Sequence, residues 1–276
     1  MGGKSLQDHV FDTYLSLRVG MAIIALAFPP VVVATGFLLD DGLPIQASLS
    51  AYYWASKTGF NPSRVAFVGG LFAVSAFLYL YKGFTSRENY ALNAAALFAL
   101  GVACFPMKWT CAGCDGWTPH GFCAISLFAC LFYVVWFRSG DTLQYLPSNV
   151  SRTPYVAKYR VIATFMAVCP LVALATNWIL GERLFVLFVE ALGIWSFAVY
   201  WYEKSNELKT SHATRRALAG VLPAYGANAD GALGGELAHA VERQHLEAGT
   251  KRDWAPSTPA ATSGNSAVAV PHGRSV

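Results

Sequence analysis

Ser50, His120 and Glu190 are far apart in the chain, but they are the residue types that together activate a hydroxyl nucleophile. A serine oxygen attacks, an imidazole takes its proton, and a carboxylate orients the ring. Tyr52, Tyr53, Arg64 and Asn177 are further groups suited to holding a polar ligand. Glu190 is the sharpest of these. It lies within an apolar run, about seven residues or roughly 10 Å from the start of that run at 1.5 Å per helical residue. A carboxylate at that depth in lipid is costly unless paired or protonated, and Arg64 or His120 is the expected partner. The plainer role for the same side chain is an ion pair that fixes helix register. His120 is the only histidine between residues 18 and 203, because His9, His212, His239, His245 and His272 fall outside that stretch. A single histidine excludes a bis-histidine haem there and argues against a multi-histidine zinc site.

The cysteines offer a second chemistry. Cys111-Ala112-Gly113-Cys114 is a C-x-x-C pair, the spacing of a thiol oxidoreductase, and its plainer forms are a loop disulfide or two free thiols. With His120 and Cys123 the same pair makes four ligands of the kind that hold Zn²⁺ tetrahedrally. Cys123, however, falls one turn inside an apolar run, so no metal and no other cofactor is expected. Cys104, Cys130 and Cys169 read as small apolar packing residues.

These residues are positioned by apolar runs. Of 276 residues, 55% are hydrophobic and 13% charged, against about 25% charged in soluble domains. Mean hydropathy is +0.40 although the last seventy or so residues are polar and small. Tyr90–Pro106 and His120–Phe137 are each about long enough to cross a hydrocarbon layer of roughly 30 Å, and the polar MKWTCAGCDGWTP between them makes the pair a membrane helical hairpin. Four more runs repeat the pattern, at about Arg18–Leu39, Arg64–Phe84, Arg160–Leu180 and Leu184–Tyr202. Pro29-Pro30 and Pro170 lie inside two of them, where neighbouring helices must satisfy the freed carbonyls. The expected fold class is all-α: a polytopic six-helix transmembrane bundle over 18–203, with a cytoplasmic lead at 1–17 and a cytoplasmic, largely disordered tail at 204–276. No solenoid or inverted repeat is evident.

The lead matches neither a cleavable signal peptide nor a myristoylation start. Lys4, Arg18, Lys82, Arg87, Arg138, Arg152, Lys158, Arg160, Lys204, Lys209, Arg215 and Arg216 fall on one side of the spans, and Lys57, Arg64, Lys108 and Arg183 on the other. This bias places both termini in the cytoplasm and the protein in the cell (inner) membrane. The same topology puts the Asn149-Val150-Ser151 glycosylation sequon on the cytoplasmic side. A net charge of +4 is a topology signal here. No basic patch with interleaved aromatics is present, and no nucleic-acid partner is expected.

Leu49-Ser50-Ala51-Tyr52-Tyr53, Arg64-Val65-Ala66-Phe67-Val68-Gly69, Tyr81-Lys82-Gly83-Phe84, Ala103-Cys104-Phe105-Pro106 and His120-Gly121-Phe122 resemble a group of bacterial six-transmembrane-helix proteins of unknown function. That group is distantly similar to the membrane hydrolases that include alkaline ceramidases and adiponectin-type receptors. The resemblance implies that Ser50, His120 and an acid face the outer leaflet and act on a lipid amide or ester. The expected Arg-Asp opening of span two is Arg64-Val65 here, and the extra histidines of the zinc-dependent members are absent.

The leading functional reading is non-catalytic. An outward-facing polar pocket between spans two, four and six would bind a lipid headgroup, a small ligand or a protein partner, with membrane lipid as the first partner. The alternative is a membrane-embedded lipid amide or ester hydrolase with Ser50 as nucleophile, His120 as base and Glu190 as orienting acid. A proton-coupled transporter working through Glu190 and a thiol oxidoreductase working through Cys111 and Cys114 are further alternatives.

Overall fold

Three helix starts are set by side chains that cap them. In the computed structural model, Asn61 accepts a hydrogen bond from the Arg64 N–H at 2.8 Å, ahead of Pro62 at the first helical position. Thr118 does the same for Gly121 at 3.1 Å, ahead of Pro119. Thr85 caps Glu88 at 3.3 Å, and the Glu88 carboxylate reaches back to the Phe84 N–H at 2.8 Å. Each cap satisfies N–H groups that have no partner within the helix.

The structure describes residues 6–107, 118–147, 149–180 and 184–213. Within them are six long helices and no strand: α1 (Leu6–Leu39), α2 (Pro62–Leu80), α3 (Ser86–Cys104), α4 (Pro119–Tyr133), α5 (Thr153–Leu180) and α6 (Leu184–Ser211). After α4 the chain continues as a π-turn, Val134–Arg138, and a 3₁₀ stretch, Ser139–Tyr145. Each helix packs on its chain neighbours, and α6 returns to α1, which closes a ring of six. Small residues allow the helices to approach closely: Ala95, Ala96 and Ala99 of α3 are buried in the core. At Gly70 of α2, a Cβ would lie 2.4 Å from the Phe28 ring of α1.

The outside of the ring is apolar. Ile23, Leu26, Phe37, Val65, Leu97, Ile179 and Phe188 are all more than half exposed. So broad an apolar surface belongs against lipid rather than water. Five helical stretches are long and apolar enough to cross a membrane: 9–39, 62–80, 119–145, 153–176 and 185–211. The remaining long helix, α3, has Asn89 and Asn93 in its first half and packs between α2 and α4.

Two expected boundaries move. α1 begins at Leu6, so helix continues through most of the lead, and Phe11 there is buried. α6 does not end near Tyr202. It runs to Ser211, and Lys204, Glu207, Leu208 and Ser211 are buried. In the sequence these charges look like an exit into water, whereas in the fold they neutralise each other. Lys204 Nζ has three N–H groups and finds three acceptors: Ser139 O at 2.8 Å, Thr142 Oγ1 at 2.6 Å and Glu207 Oε2 at 2.8 Å. Glu207 also accepts from Thr142 Oγ1 at 2.5 Å and from the Tyr159 hydroxyl at 2.7 Å. Beside them, Arg138 pairs with Asp141 at 2.8 Å and donates to Thr85 Oγ1 at 3.0 Å. The network joins the start of α3, the 139–145 turn, α5 and α6 at the end of the ring opposite Ser50.

Removing one partner leaves an uncompensated buried charge. Lys204→Ala or Glu207→Ala is expected to cost about 3–5 kcal/mol, whereas the apolar double variant Lys204→Met/Glu207→Leu recovers most of that loss. Thermal unfolding in detergent checks both.

Candidate functional site

The chain between α1 and α2 lies over the opposite end of the ring, and its own backbone is tied down there. Asp40 is fully covered. It accepts from the N–H groups of Lys57 at 3.0 Å and Thr58 at 2.8 Å, and from Thr58 Oγ1 at 2.6 Å. The Lys57 ammonium donates to the carbonyls of Asp41 and Gly42. These contacts close the loop at its base, where Asp41 and Gly42 take positive φ. Hydrogen bonds from Thr58, its hydroxyl first, hold the Asp40 carboxyl at about 2, below the usual carboxylate range.

The middle of the loop docks onto α6. Ala47 O accepts from the Leu187 N–H at 2.9 Å, and the Leu49 N–H donates to Glu190 Oε2 at 2.7 Å. The Trp54 indole donates to Met107 O at 2.7 Å, tying the loop to the segment that follows α3. Held from both sides, the 3₁₀ turn Ser50–Tyr53 presents the Ser50 hydroxyl to His120 in the first turn of α4.

Ser50 Oγ and His120 Nε2 are 2.9 Å apart. His120 Nδ1 is 2.8 Å from the carbonyl oxygen of Phe105, just beyond the end of α3. A carbonyl only accepts, so Nδ1 carries the hydrogen and the neutral ring presents its Nε2 lone pair to Ser50. The serine therefore donates, which is the arrangement in which an imidazole can take a hydroxyl proton. His120 is 7% exposed.

Ser50 and Glu190 stand at one end of a cavity within the ring. Its other walls are Ala25 and Phe28 of α1, Phe67, Leu71 and Val74 of α2, Val102 of α3, Ala124, Leu127, Phe128 and Leu131 of α4, and Ile194 and Phe197 of α6, with Leu49 from the loop. Apart from Ser50 and Glu190, every lining side chain is apolar.

The expected residues are thus partly brought together. Ser50 and His120 are hydrogen-bonded, and Glu190 shares a cavity with Ser50. The proposed orienting acid differs: the His120 Nδ1 hydrogen goes to the Phe105 carbonyl, while Glu190 holds the Leu49 N–H. The expected Glu190 pairing with Arg64 or His120 is not among the ion pairs of the described residues. Arg64 turns to the loop instead. Its Nε donates to Tyr53 O at 2.5 Å, and its guanidinium lies 4.8 Å from the Tyr53 ring centre and 5.4 Å from that of Trp54. Tyr52 is fully buried, and its hydroxyl accepts from the Gln46 N–H at 3.3 Å, so it serves the loop's packing. Tyr53 is partly buried beneath Arg64. Asn177 is in the last turns of α5, and its side chain lies outside what is described.

Cys111 and Cys114 lie outside the described residues, and with them the thiol and zinc readings. Cys123 is a buried free thiol packed on α3, where a Cβ on Gly101 would lie 2.5 Å from its sulfur. No cluster of three or more metal-ligating side chains occurs among the described residues. Cys104 is exposed, Cys130 is partly buried and Cys169 is buried. Sequence reasoning missed Asp40, although Asp40-Asp41-Gly42 is a turn signal. It also missed the Phe105 carbonyl, which no side-chain pattern announces.

Set against known proteins, the chain matches no family model, no curated protein and no solved structure.

Two outcomes test this geometry. Glu190→Gln keeps an acceptor for the Leu49 N–H and is expected to leave stability nearly unchanged, whereas Glu190→Ala orphans that donor at a cost of about 1–3 kcal/mol. Thermal unfolding of the two variants separates them. The Asp40 carboxyl is held below its unfolded value, so its contribution is complete above about pH 4 and is lost as pH falls through about 2. The stability gap between the wild type and Asp40→Asn should close over that window.

Proposed function

We propose that this chain is a multi-pass membrane protein that cleaves a lipid ester or amide, with Ser50 as nucleophile and His120 as its base. The observation that carries the reading is the Ser50 Oγ–His120 Nε2 hydrogen bond at one end of an otherwise apolar cavity. As Ser50 Oγ bonds to the substrate carbonyl carbon, its proton passes to His120 Nε2, and the Phe105 carbonyl supports the imidazolium that forms. His120 then returns the proton to the leaving alcohol or amine as the scissile bond breaks. Water, deprotonated by the same ring, hydrolyses the acyl-serine and regenerates the hydroxyl. Glu190 acts as a positioning residue: through the Leu49 N–H it holds the turn that carries Ser50. The likeness of the Leu49–Tyr53 and His120–Phe122 motifs to proteins near the ceramidase-type hydrolases points the same way. In this reading all six long helices cross the bilayer. The bias of Lys and Arg puts the Ser50 end outside, with both termini in the cytoplasm.

Lipid binding without turnover is the second reading, and the cavity favours it independently. An apolar chamber with a hydroxyl and a carboxyl at one end suits an amphiphile, tail inward, whatever follows.

Purified protein in nanodiscs, given fluorescent lipid esters and amides, is expected to release labelled acid. Ser50→Ala and His120→Ala should each lower kcat/KM by at least about 10²-fold, with folding retained by circular dichroism. Substrate left intact by the wild type would remove the hydrolase reading.

A further inference from the structure

The cavity has a floor, and four helices set it at the same level. Its deepest lining residues are Ala25 of α1, Val74 of α2, Leu131 of α4 and Phe197 of α6. Four residues along the chain in each case, on the side away from Ser50, stand Met21 of α1, Leu78 of α2, Val135 of the π-turn after α4 and Trp201 of α6, with 0%, 0%, 1% and 0% exposure. All four belong to one continuous buried core. The Trp201 ring meets Tyr81 edge-on at 4.7 Å and Phe197 at 6.0 Å. Beyond this layer lies the Lys204–Glu207 network, which an alkyl chain could enter only by breaking buried charge-assisted hydrogen bonds.

The depth is equally consistent. The lining runs from Phe67 to Val74 on α2, from Ala124 to Leu131 on α4 and from Glu190 to Phe197 on α6. Each interval is seven residues, or about 10.5 Å of helix axis. An extended carbon chain with 1.5 Å bonds and near-tetrahedral angles advances about 1.25 Å per carbon, so about eight carbons fit between the polar end and the floor.

We infer that the chamber is an acyl-length ruler: it takes a medium chain of about eight carbons with its carbonyl at Ser50, and Ala25, Leu131 and Phe197 set the cut-off. This assignment rests on the hydrolase reading for its carbonyl end and on the cavity alone for its length. A palmitoyl-sized chain meets Met21, Leu78, Val135 and Trp201 and cannot bring its carbonyl down to the serine.

The test uses the full chain in nanodiscs with a homologous series of esters, from butanoyl to hexadecanoyl. Octanoyl is expected to be preferred over hexadecanoyl by at least about tenfold in kcat/KM. Ala25→Leu, which fills the floor, should move the optimum to shorter chains. Leu131→Ala, which opens it, should move the optimum to longer ones, so either variant suffices if the other fails to fold. In parallel, Ser50→Ala protein is challenged with photoactivatable n-alkyl alcohols of the same lengths, and labelling should peak near octyl. Octyl-selective labelling with no ester cleaved by the wild type would sustain the ruler and remove the hydrolase. Cleavage indifferent to chain length, or an optimum unmoved by both folded variants, would overturn the ruler and leave the hydrolase standing. Neither cleavage nor selective labelling would remove both.

Discussion

Over the Ser50 end of the ring, the chain between α1 and α2 carries backbone N–H and C=O groups that must be matched wherever they are buried. Its central turn does this by borrowing from α6. The Leu49 N–H goes to the Glu190 carboxylate, and the Ala47 carbonyl takes the Leu187 N–H near the start of that helix. These two bonds, spanning some 140 residues of sequence, fix the position of Ser50 above the cavity. His120 is fixed separately, by its place in the first turn of α4 and by the Phe105 carbonyl. The contact between serine and histidine is therefore where three independently anchored elements meet. It forms only in the assembled ring.

Much of the architecture was legible because lipid is an exacting solvent. Apolar runs of spanning length have few alternatives to helix, and caps such as Asn61-Pro62 and Thr118-Pro119 mark where helices begin. The pairing of Ser50 with His120 was legible as chemistry, since the loop that carries Ser50 and the start of the run that His120 opens were expected on the same side of the bundle. Glu190 was recognisable as costly, but the sequence suggested a charged partner for it. The partner is a backbone N–H, which every non-proline residue carries and which no residue pattern distinguishes. The last two turns of α6 were illegible for the opposite reason. Lys204 and Glu207 resemble surface charges until Ser139, Thr142 and Tyr159, from two other segments, are placed around them. The i,i+3 spacing of the two was the one available signal.

The ring divides its polar groups between its two ends, and the two sets differ in kind. At the Lys204 end, three donors of an ammonium meet three acceptors and both carboxylate oxygens of Glu207 are used. Such a set is rigid: a proton or a ligand could enter only by displacing an existing bond. At the Ser50 end two polar side chains, Ser50 and Glu190, border a cavity. Ser50 donates its hydrogen bond to His120, and apart from Glu190 the rest of the chamber beside it is lined by apolar side chains. The first set holds helices to one another, whereas the second borders a cavity.

The apolar layer between those ends serves both. Met21, Leu78, Val135 and Trp201 close the chamber from below and cover the charged network from above. Charge–charge attraction in the network is strongest where water is absent, and the same exclusion of water keeps the chamber apolar. Opening that layer would therefore weaken two sites at once, the buried pair through hydration and the chamber through loss of its floor. A mobile gate at this level would be self-defeating for a protein that binds an alkyl chain. It would be needed if the chain's route were a passage from one face to the other. Met21, Leu78 and Trp201 from three helices and Val135 from the π-turn after α4, packed in one core with no polar atom but the Trp201 indole nitrogen, make a wall. The layer closes the chamber at the end away from Ser50.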